Sequence, residues 1–164
     1  MGKLRGKSIF LILIGSIVLA DQVSKLLIKS HLPLYGKFHI LPGFFKLHHI
    51  HNSGAVWGLF SSGTGSLIPK LITAASLIAM VIILYYFLKV EPACRPELVA
   101  MSFIIGGALG NNVDRIIQGF VVDFLEFNIG RYHWPIFNVA DSFVTIGVFL
   151  LIFSLWRGKC LSMK

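Results

Sequence analysis

The sequence has few acidic residues and few cysteines. Only seven of its 164 residues are Asp or Glu, against fifteen Lys and Arg, and charged residues make up 13% of the chain. Hydrophobic residues make up 55%, and the mean hydropathy is +0.79. A soluble domain of this length carries more charge and less apolar surface. We therefore expect the chain to be solvated by lipid.

The two cysteines and the excess of positive charge each argue against a class of protein. Cys94 and Cys160 stand in no CxxC or zinc spacing, so we expect neither a disulfide framework nor a metal knuckle, and two free thiols. The net charge is +8, but the basic residues are scattered between apolar runs, which argues against nucleic-acid binding. Basic residues beside hydrophobic spans more often fix topology and contact lipid head groups.

Four apolar segments are long enough to cross about 30 Å of hydrocarbon, which takes about 20 residues. They cover approximately residues 8–28, 67–88, 98–117 and 138–156. The sequence predicts an integral membrane, mainly α protein, with a four-transmembrane-helix bundle in a single domain over residues 1–164. The first segment follows Lys3, Arg5 and Lys7 and has a signal-peptide alternative, but three further spans favour an uncleaved helix.

Four crossings place both termini on one side of the membrane, which we expect to be the cytoplasm. The outer loops are then residues 30–66 and 118–137. The positive-inside rule supports this orientation mainly because the short tails and the short inner loop are basic for their length. The first outer loop mixes Pro and Gly with alternating stretches such as Phe38-His39-Ile40, and it predicts a small extracytoplasmic β-sheet.

All four aspartates of the chain lie at outer helix ends or in the second outer loop under this topology: Asp21, Asp114, Asp123 and Asp141. An ionisable group at membrane depth costs about 2.5 to 3.5 kcal/mol on insertion scales. A chain with so few acids has little structural reason to gather them at one face, so we expect a function.

Asp123 and Asp141 are the candidate catalytic residues. The connection between them contains Gly and Pro and is long enough to turn back, so the two carboxyl groups can meet. A close pair shares a single proton near neutral pH. Its ionised member takes a proton from water and its protonated member hydrogen-bonds a scissile carbonyl, without a metal. Alternatively, Asp141 only caps its helix and Asp123 pairs with Arg131 or Arg115.

The end of the third span carries glycines and polar residues. Gly106 and Gly110 form a small-xxx-small face that allows close helix packing. Asn111 shares a helix face with Asp114 and Arg115, so these side chains are expected beneath the aspartates. Arg115 has the planar donor geometry to hold a carboxylate or a peptide carbonyl.

Two other polar clusters have more than one interpretation. Asp21 and Lys25, four residues apart, form either an intrahelical ion pair or part of the site. The adjacent Ser24 does not face Lys25, which argues against a Ser/Lys peptidase. His49 and His51 would share one face of a strand and suggest zinc, but no acidic ligand or H-E-x-x-H motif accompanies them.

Five stretches together resemble the lipoprotein signal peptidase family, also called signal peptidase II, over nearly the whole chain. The stretches are Asp21-Gln22 with Lys25, Asn52-Ser53-Gly54-Ala55, Gly106 to Arg115, Val121-Val122-Asp123-Phe124, and Phe137-Asn138 with Ala140-Asp141.

The resemblance implies a bacterial inner-membrane aspartyl endopeptidase with an outer β-cradle and no cofactor. Such an enzyme removes signal peptides from prolipoproteins, cleaving before a diacylglyceryl-modified cysteine, and is the target of globomycin-type peptides. Asp123 and Asp141 become the catalytic pair by this resemblance. The supporting positions are Asn111, Asp114, Arg115 and Asn138, together with Asp21, Lys25, Asn52 and Gly54, whose individual roles stay open.

A small channel or proton-coupled carrier is the alternative from another class. It would also gather Asp and Arg inside a helix bundle. It predicts acids near the bilayer midplane and discontinuous helices, whereas the acids of this chain lie at the ends of the spans.

Overall fold

The computed structural model describes residues 6–54 and 67–157. Within these ranges the chain forms four long helices and a small antiparallel sheet. The elements in chain order are α1 (Ser8–His31), β1 (Lys37–Leu41), β2 (Phe45–Asn52), α2 (Leu67–Lys89), α3 (Arg95–Gln118), β3 (Val121–Ile129), β4 (Tyr132–His133) and α4 (Val139–Trp156).

Three of the helices are long and apolar enough to cross a membrane by length and composition, over Ser8–His31, Lys70–Lys89 and Val139–Trp156. The helix α3 is as long but more polar, and it contacts α1, α2 and α4. Because its neighbours cover it, α3 needs less apolar surface towards lipid than the others. The predicted mainly helical membrane fold is confirmed, with α3 beginning a little earlier than expected.

Glycines allow α3 to approach its neighbours closely. A Cβ atom at Gly106 would lie 2.9 Å from Cβ of Ile17 on α1, and one at Gly107 would collide with the carbonyl oxygen of Ala140 on α4. A Cβ at Gly110 would lie 2.6 Å from Oδ2 of Asp21. The predicted small-residue face is therefore confirmed, and it serves two helices at once.

The sheet has the strand order β1-β2-β3-β4, with antiparallel pairing throughout. The first outer loop was predicted to form a sheet and supplies β1 and β2. The second outer loop supplies β3 and β4, which were not predicted from its sequence. The first four residues of β3 are buried on both faces, so this strand lacks the alternation that identifies a half-buried strand.

The expectation of a free thiol at Cys94 is wrong, because Cys94 is disulfide-bonded. Its side chain is buried in a core cluster with Phe87, Leu98 and Met101. The spacing of cysteines along the chain does not determine which sulfur atoms the fold brings together. Cys160 lies outside the described residues.

Candidate active site

Asp123 and Asp141 come from different elements and meet at one asparagine. Asp123 lies on β3 and Asp141 in the first turn of α4, and their exposed fractions are 0% and 2%. The side-chain amide of Asn138 donates to Oδ1 of Asp123 at 2.6 Å, while its backbone N–H donates to Oδ2 of Asp141 at 3.3 Å. A single residue thus holds both carboxyl groups, which form a buried aspartate pair.

Backbone pairing brings the start of α4 to β3. Phe137, just before the helix, accepts hydrogen bonds from the backbone N–H groups of Phe124 and Leu125 at 3.0 and 2.8 Å, and it donates to the carbonyl of Leu125 at 3.1 Å. These bonds lock the chain leading into α4 alongside the strand that carries Asp123. The distance of eighteen positions between the two aspartates is closed in this way.

The first turn of α4 is a capping box. Oδ1 of Asn138 accepts from the backbone N–H of Asp141 at 2.9 Å, and the Asp141 side chain reaches back to Asn138. A carboxylate here satisfies free N–H groups and interacts favourably with the helix dipole. Asp141 does cap its helix, as the alternative interpretation expected, and the residue that it caps, Asn138, also binds Asp123.

Asp123 is bound by amides rather than by a cation in the described part of the chain. The Asn52 side chain donates to its Oδ2 at 2.7 Å, and Asn138 occupies the other oxygen. Neither Arg131 nor Arg115 forms the ion pair that the structural alternative required. Burial, and next the charge of Asp141, raise the pKa of Asp123 to about 7, although the bonds from Asn52 and Asn138 oppose this. Near neutral pH this carboxyl group therefore exchanges its proton readily.

Asn111 connects Asp141 to a buried lysine. Its amide nitrogen donates to Oδ1 of Asp141 at 2.8 Å. Its oxygen accepts from Nζ of Lys25 at 2.9 Å and from Nδ2 of Asn138 at 3.1 Å. Two donors on the oxygen fix the orientation of the amide, so the N–H groups of Asn111 must point towards Asp141.

Lys25 is the centre of a second buried group, the lysine cluster, which consists of Lys25, Asp21 and Asp114. Nζ of Lys25 lies 2.8 Å from Oδ2 of Asp21 and 3.0 Å from Oδ2 of Asp114. With Asn111, these contacts use all three donors of the ammonium group. The ion pair within α1 that the sequence predicted is present, and it is extended by a carboxylate from α3.

The lysine cluster also holds the backbone beside both members of the aspartate pair. Oδ1 of Asp21 accepts from the N–H of Ala140 at 2.9 Å, and Oδ2 of Asp114 accepts from the N–H of Val122 at 3.2 Å. Ala140 and Val122 each immediately precede one aspartate of the pair. The cluster thereby fixes where β3 and α4 begin.

Arg115 binds a peptide carbonyl. Its guanidinium donates to the carbonyl oxygen of Gly54 at 3.1 Å, and the N–H of Gly54 donates to Oδ1 of Asn52 at 2.8 Å. Arg115 therefore supports the chain that carries Asn52, one of the two predicted possibilities. Ala55 of the same motif lies outside the described residues.

The ten predicted site residues form one connected network of hydrogen bonds and ion pairs. Its members are Asp21, Lys25, Asn52, Gly54, Asn111, Asp114, Arg115, Asp123, Asn138 and Asp141. The network also contains Gln22, whose role the sequence analysis missed. Its amide donates to Asp21, Asp114 and the carbonyl of Gly110. A glutamine inside an apolar span is itself unusual, and that signal was available.

Two apolar cavities reach the network from different sides. One of about 350 Å³ lies between the sheet and α4, and its aromatic wall includes Phe127, Trp134 and Phe137, with Asp141 at its edge. The other, of about 290 Å³, lies between α2, α3 and α4 and ends at Asn111 and Arg115. An apolar chain lying in either cavity would bring its backbone close to the polar network.

Of the three neighbouring histidines of β2, His49 and His51 lie on one face as expected, with their ring centroids 5.2 Å apart, whereas His48 contacts a glutamate. Nδ1 of His48 lies 2.7 Å from Oε2 of Glu126, and Nδ1 of His49 lies 2.9 Å from the carbonyl oxygen of Leu32. His51 stacks on Phe120. Within residues 6–54 and 67–157, no group of three or more His, Cys, Asp or Glu side chains is arranged to hold a metal ion.

The carrier alternative predicts broken helices with acids near their middles. In the described part of the chain α1, α3 and α4 each run uninterrupted between their ends. The expectation that all acids lie at span ends is wrong for Asp21, which lies near the middle of α1 because this helix continues to His31. The aspartate pair lies where α4 meets the sheet. A substrate could reach this position from one face of the membrane.

Comparisons with known proteins show which family the chain is similar to. Residues 13–157 match the family described as signal peptidase (SPase) II. The chain is 41% identical to the lipoprotein signal peptidase of Syntrophus aciditrophicus, over 88% of this chain and 89% of that one. It is 40% identical to the lipoprotein signal peptidase of Francisella tularensis subsp. mediasiatica, over 93% and 94%.

A solved structure, described as a bacterial membrane enzyme determined by the in meso method, has the same fold. Its TM-score to this chain is 0.79 at 35% sequence identity, and the likeness covers 90% of this chain and 87% of that one. The family match extends over nearly the full length of the chain, and the fold is shared with a membrane enzyme. Both findings indicate a family of membrane proteases. The chain belongs to the signal peptidase II family.

Proposed function

We propose that this protein is an aspartyl endopeptidase that removes signal peptides from diacylglyceryl-modified bacterial prolipoproteins, using Asp123 and Asp141 to activate water. Its relatives are named lipoprotein signal peptidases, and it is a bacterial membrane protein. The observation that carries the proposal is the placement of two buried carboxyl groups on either side of Asn138. No basic side chain neutralises either member by direct contact in the described ranges.

The chemistry needs the aspartate pair to hold one proton. The ionised carboxylate accepts a proton from water while the water oxygen attacks the scissile carbonyl carbon. The protonated member donates a hydrogen bond to the carbonyl oxygen as negative charge develops there. When the tetrahedral intermediate collapses, the C–N bond breaks and the leaving amine takes up a proton from the pair.

The surrounding amides orient the two carboxyl groups. Asn52 and Asn138 bind the two oxygens of Asp123, and Asn111 binds Asp141. All three act by hydrogen bonding without adding charge, so the pair keeps the elevated proton affinity that two close acids produce. The lysine cluster is the positioning element behind them.

The apolar cavity beside Asp141 suits the proposed substrate. A signal peptide is apolar and its modified cysteine carries acyl chains, so sideways entry from the bilayer avoids exposing either to water. The aromatic side chains of the sheet form one wall of the cavity and α4 forms the other. If the acyl chains stay in lipid while the peptide backbone lies across the aspartate pair, the peptide bond before the lipidated cysteine is the one placed at the two carboxyl groups.

The proposed orientation has both termini in the cytoplasm and the site near the outer face of the inner membrane. The sheet and the aspartate pair lie at one end of the bundle. Of the fifteen Lys and Arg residues, eight fall in the short tails and the short inner loop and seven on the side of the sheet, so the inner segments are the more basic for their length. This distribution agrees with the positive-inside rule.

The direct test is cleavage of a lipid-modified preprolipoprotein by purified protein, followed by electrophoresis and mass spectrometry of the products. The parent protein should release the signal peptide with the lipidated cysteine as the new N-terminus. Asp123→Asn and Asp141→Asn should release none while keeping the helical circular dichroism of the parent. A globomycin-type peptide should block the parent reaction.

Glu126→Gln is the matched control, because Glu126 lies on the same strand as Asp123 but pairs with Lys46 and His48. It should cleave at close to the parental rate. Substantial cleavage by either asparagine variant would exclude the aspartyl mechanism, and cleavage at another bond would exclude the proposed substrate geometry.

A further inference from the structure

A cavity of about 690 Å³ lies between the start of α3 and the end of α4. This is the end of the bundle opposite to the aspartate pair, so it has no part in the proposed cleavage. Its wall combines basic, acidic and apolar side chains, among them Arg95, Glu97, Leu150, Phe153, Ser154 and Arg157.

Glu97 provides a hydrogen-bond acceptor that residues 6–54 and 67–157 leave unused. The residue is 2% exposed. Its Oε1 accepts from the hydroxyl group of Ser154 at 2.6 Å. Its Oε2 is buried and has no hydrogen-bond partner in the described part of the chain. A buried carboxylate oxygen is stable only when a donor reaches it, and most such atoms in proteins have one. The cavity therefore lacks a donor beside Glu97.

Two guanidinium groups line the same cavity and form no ion pair among the described residues. Arg95 stands at the start of α3 and Arg157 directly after α4. Arg157 lies over the ring of Phe153, with 5.7 Å between its Cζ and the ring centroid. Guanidinium groups bind phosphate oxygens through paired N–H donors. The site thus presents donors for an anion beside an acceptor for an N–H group.

The surroundings place this site at the level of lipid head groups. Trp156, at the end of α4, is 82% exposed, and exposed tryptophans at helix ends mark the membrane interface. Leu150 and Phe153, one turn apart on α4, line the cavity and are also exposed on the helix surface. A ligand here would have its polar part among the charged residues and its apolar part along α4.

We propose that this cavity binds a phospholipid whose phosphodiester carries a primary ammonium group, as in a phosphoethanolamine headgroup. The ammonium donates to Oε2 of Glu97, and the phosphate accepts from Arg95 and Arg157. A choline headgroup lacks the required N–H donor. A headgroup with net negative charge would place a second anion against Glu97 without supplying a cation.

The test measures lipid binding to the full chain in detergent micelles by native mass spectrometry. The probes are dihexanoyl phospholipids with ethanolamine, N-methylated ethanolamine, choline or glycerol headgroups, and free phosphoethanolamine. The parent protein should prefer ethanolamine to choline about tenfold, the size expected of one charge-assisted hydrogen bond. Partially methylated headgroups should keep the preference until the last N–H is lost. Free phosphoethanolamine should bind far more weakly than the lipid.

Two variants test the acidic and the basic side chains of the site independently. Glu97→Gln should reduce the ethanolamine preference to less than about twofold, whereas Arg157→Gln should weaken ethanolamine and choline lipids equally. Glu91→Gln and Lys89→Gln are matched controls, because they remove the same charges at the same end of the bundle outside the cavity wall.

Four results would each overturn the assignment: equal binding of ethanolamine and choline lipids by the parent, preference for glycerol, a preference that survives Glu97→Gln, or free phosphoethanolamine binding as tightly as the lipid. The N-methylation series decides the matter with the parent protein alone if Glu97→Gln does not fold. Peptide cleavage is not read in this experiment, so its outcome is independent of the proposed function.

Discussion

The lysine cluster and the aspartate pair are neighbouring sites that both contain buried aspartates. They differ in whether a cation or neutral amides contact the carboxyl groups. In the lysine cluster a buried ammonium group contacts Asp21 and Asp114 directly. In the aspartate pair, among the residues that the structure describes, the side chains that contact Asp123 and Asp141 are neutral amides. The first arrangement fixes charge and position, whereas the second leaves a proton to exchange. The role of an aspartate in this protein therefore follows from its immediate donors, since burial is similar in both sites.

The sharpest way to test this difference is to neutralise the aspartate pair. Asp141→Asn should lower kcat/KM by about 10³-fold or more, in the upper range for losing an acid–base group. Thermal stability should change little, because asparagine keeps a hydrogen-bonding side chain at the helix start. Cleavage rates and melting temperatures of the purified variant measure both.

The double variant Asp123→Asn with Asp141→Asn extends this prediction. Its activity should fall no further than that of the single variants, because groups that act as a unit are not additive. A double variant that loses the product of the two single effects would show that the carboxyl groups act separately.

Removing the lysine should affect stability as well as activity. Lys25→Met leaves two buried carboxylates without their cation, which should lower the free energy of unfolding by about 3 to 5 kcal/mol. Lys29→Met, one turn further along α1, loses only an exposed contact with Gln118 and should change stability by less than about 0.5 kcal/mol. Denaturant unfolding followed by circular dichroism compares the two.

The stability lost in Lys25→Met should partly return when the two acids of the lysine cluster are neutralised as well. Adding Asp21→Asn and Asp114→Asn to Lys25→Met should restore part of the lost stability, because no unpaired buried charge then remains. If the triple variant is less stable than Lys25→Met, the cluster is held by more than charge compensation.

Replacing Gly110 tests how closely α3 packs against Asp21 of the lysine cluster. In Gly110→Ala the new methyl group meets Oδ2 of Asp21, which should destabilise the protein by about 1 to 3 kcal/mol, as overpacking does. Gly15→Ala is the matched control, because nothing lies within 4 Å of its Cβ position. That variant should be neutral or more stable by up to about 1 kcal/mol. The melting temperatures of the two alanine variants measure this difference in stability.

The last prediction concerns pH. The pKa of Asp123 is raised to about 7 from 3.8, so the folded protein binds more protons than the unfolded chain between these values. Its contribution to stability is therefore complete below about pH 4 and is lost as the pH rises to about 7. Asp123→Asn should remove this slope, which melting temperatures over that range will show.

The same titration predicts an upper limit for activity. The rate should decline above about pH 7, roughly tenfold per unit, as the pair loses its shared proton. Rates that stay constant up to pH 9 would contradict a mechanism that needs one proton on the pair.

The candidate site was predictable where the sequence itself restricts position. The polar residues of α1 and α3 stand out in apolar spans, and helix periodicity places Asn111 and Asp114 on one face. Asp123 in the second outer loop and Asp141 at the start of the last span were identifiable without a structure, whereas Asp21 was wrongly expected at a helix end and lies within α1. The family resemblance added Asn52, Gly54 and Asn138.

Contacts between elements were not predictable from spacing. The sequence indicated the pair of Asp21 and Lys25, but the contact of Lys25 with Asp114 depends on how α1 and α3 pack. The strand β3 was missed because its first residues are buried on both faces. The shared contact of Asn138 with both aspartates follows from pairing of Phe137 with β3, which is tertiary information.

The capping box of α4 ties the position of the aspartate pair to the transmembrane helix that begins there. The helix has 18 residues, which at 1.5 Å per residue span about 27 Å, close to the hydrocarbon thickness of a bilayer of about 30 Å. Asp141 begins that span and Asn138 anchors it to Asp123, so a vertical shift of the helix carries the reacting groups with it. In a thicker bilayer the whole ensemble sinks below the interface, away from its supply of solvent. With the proposed function, we therefore expect turnover to depend on the chain length of the surrounding lipid.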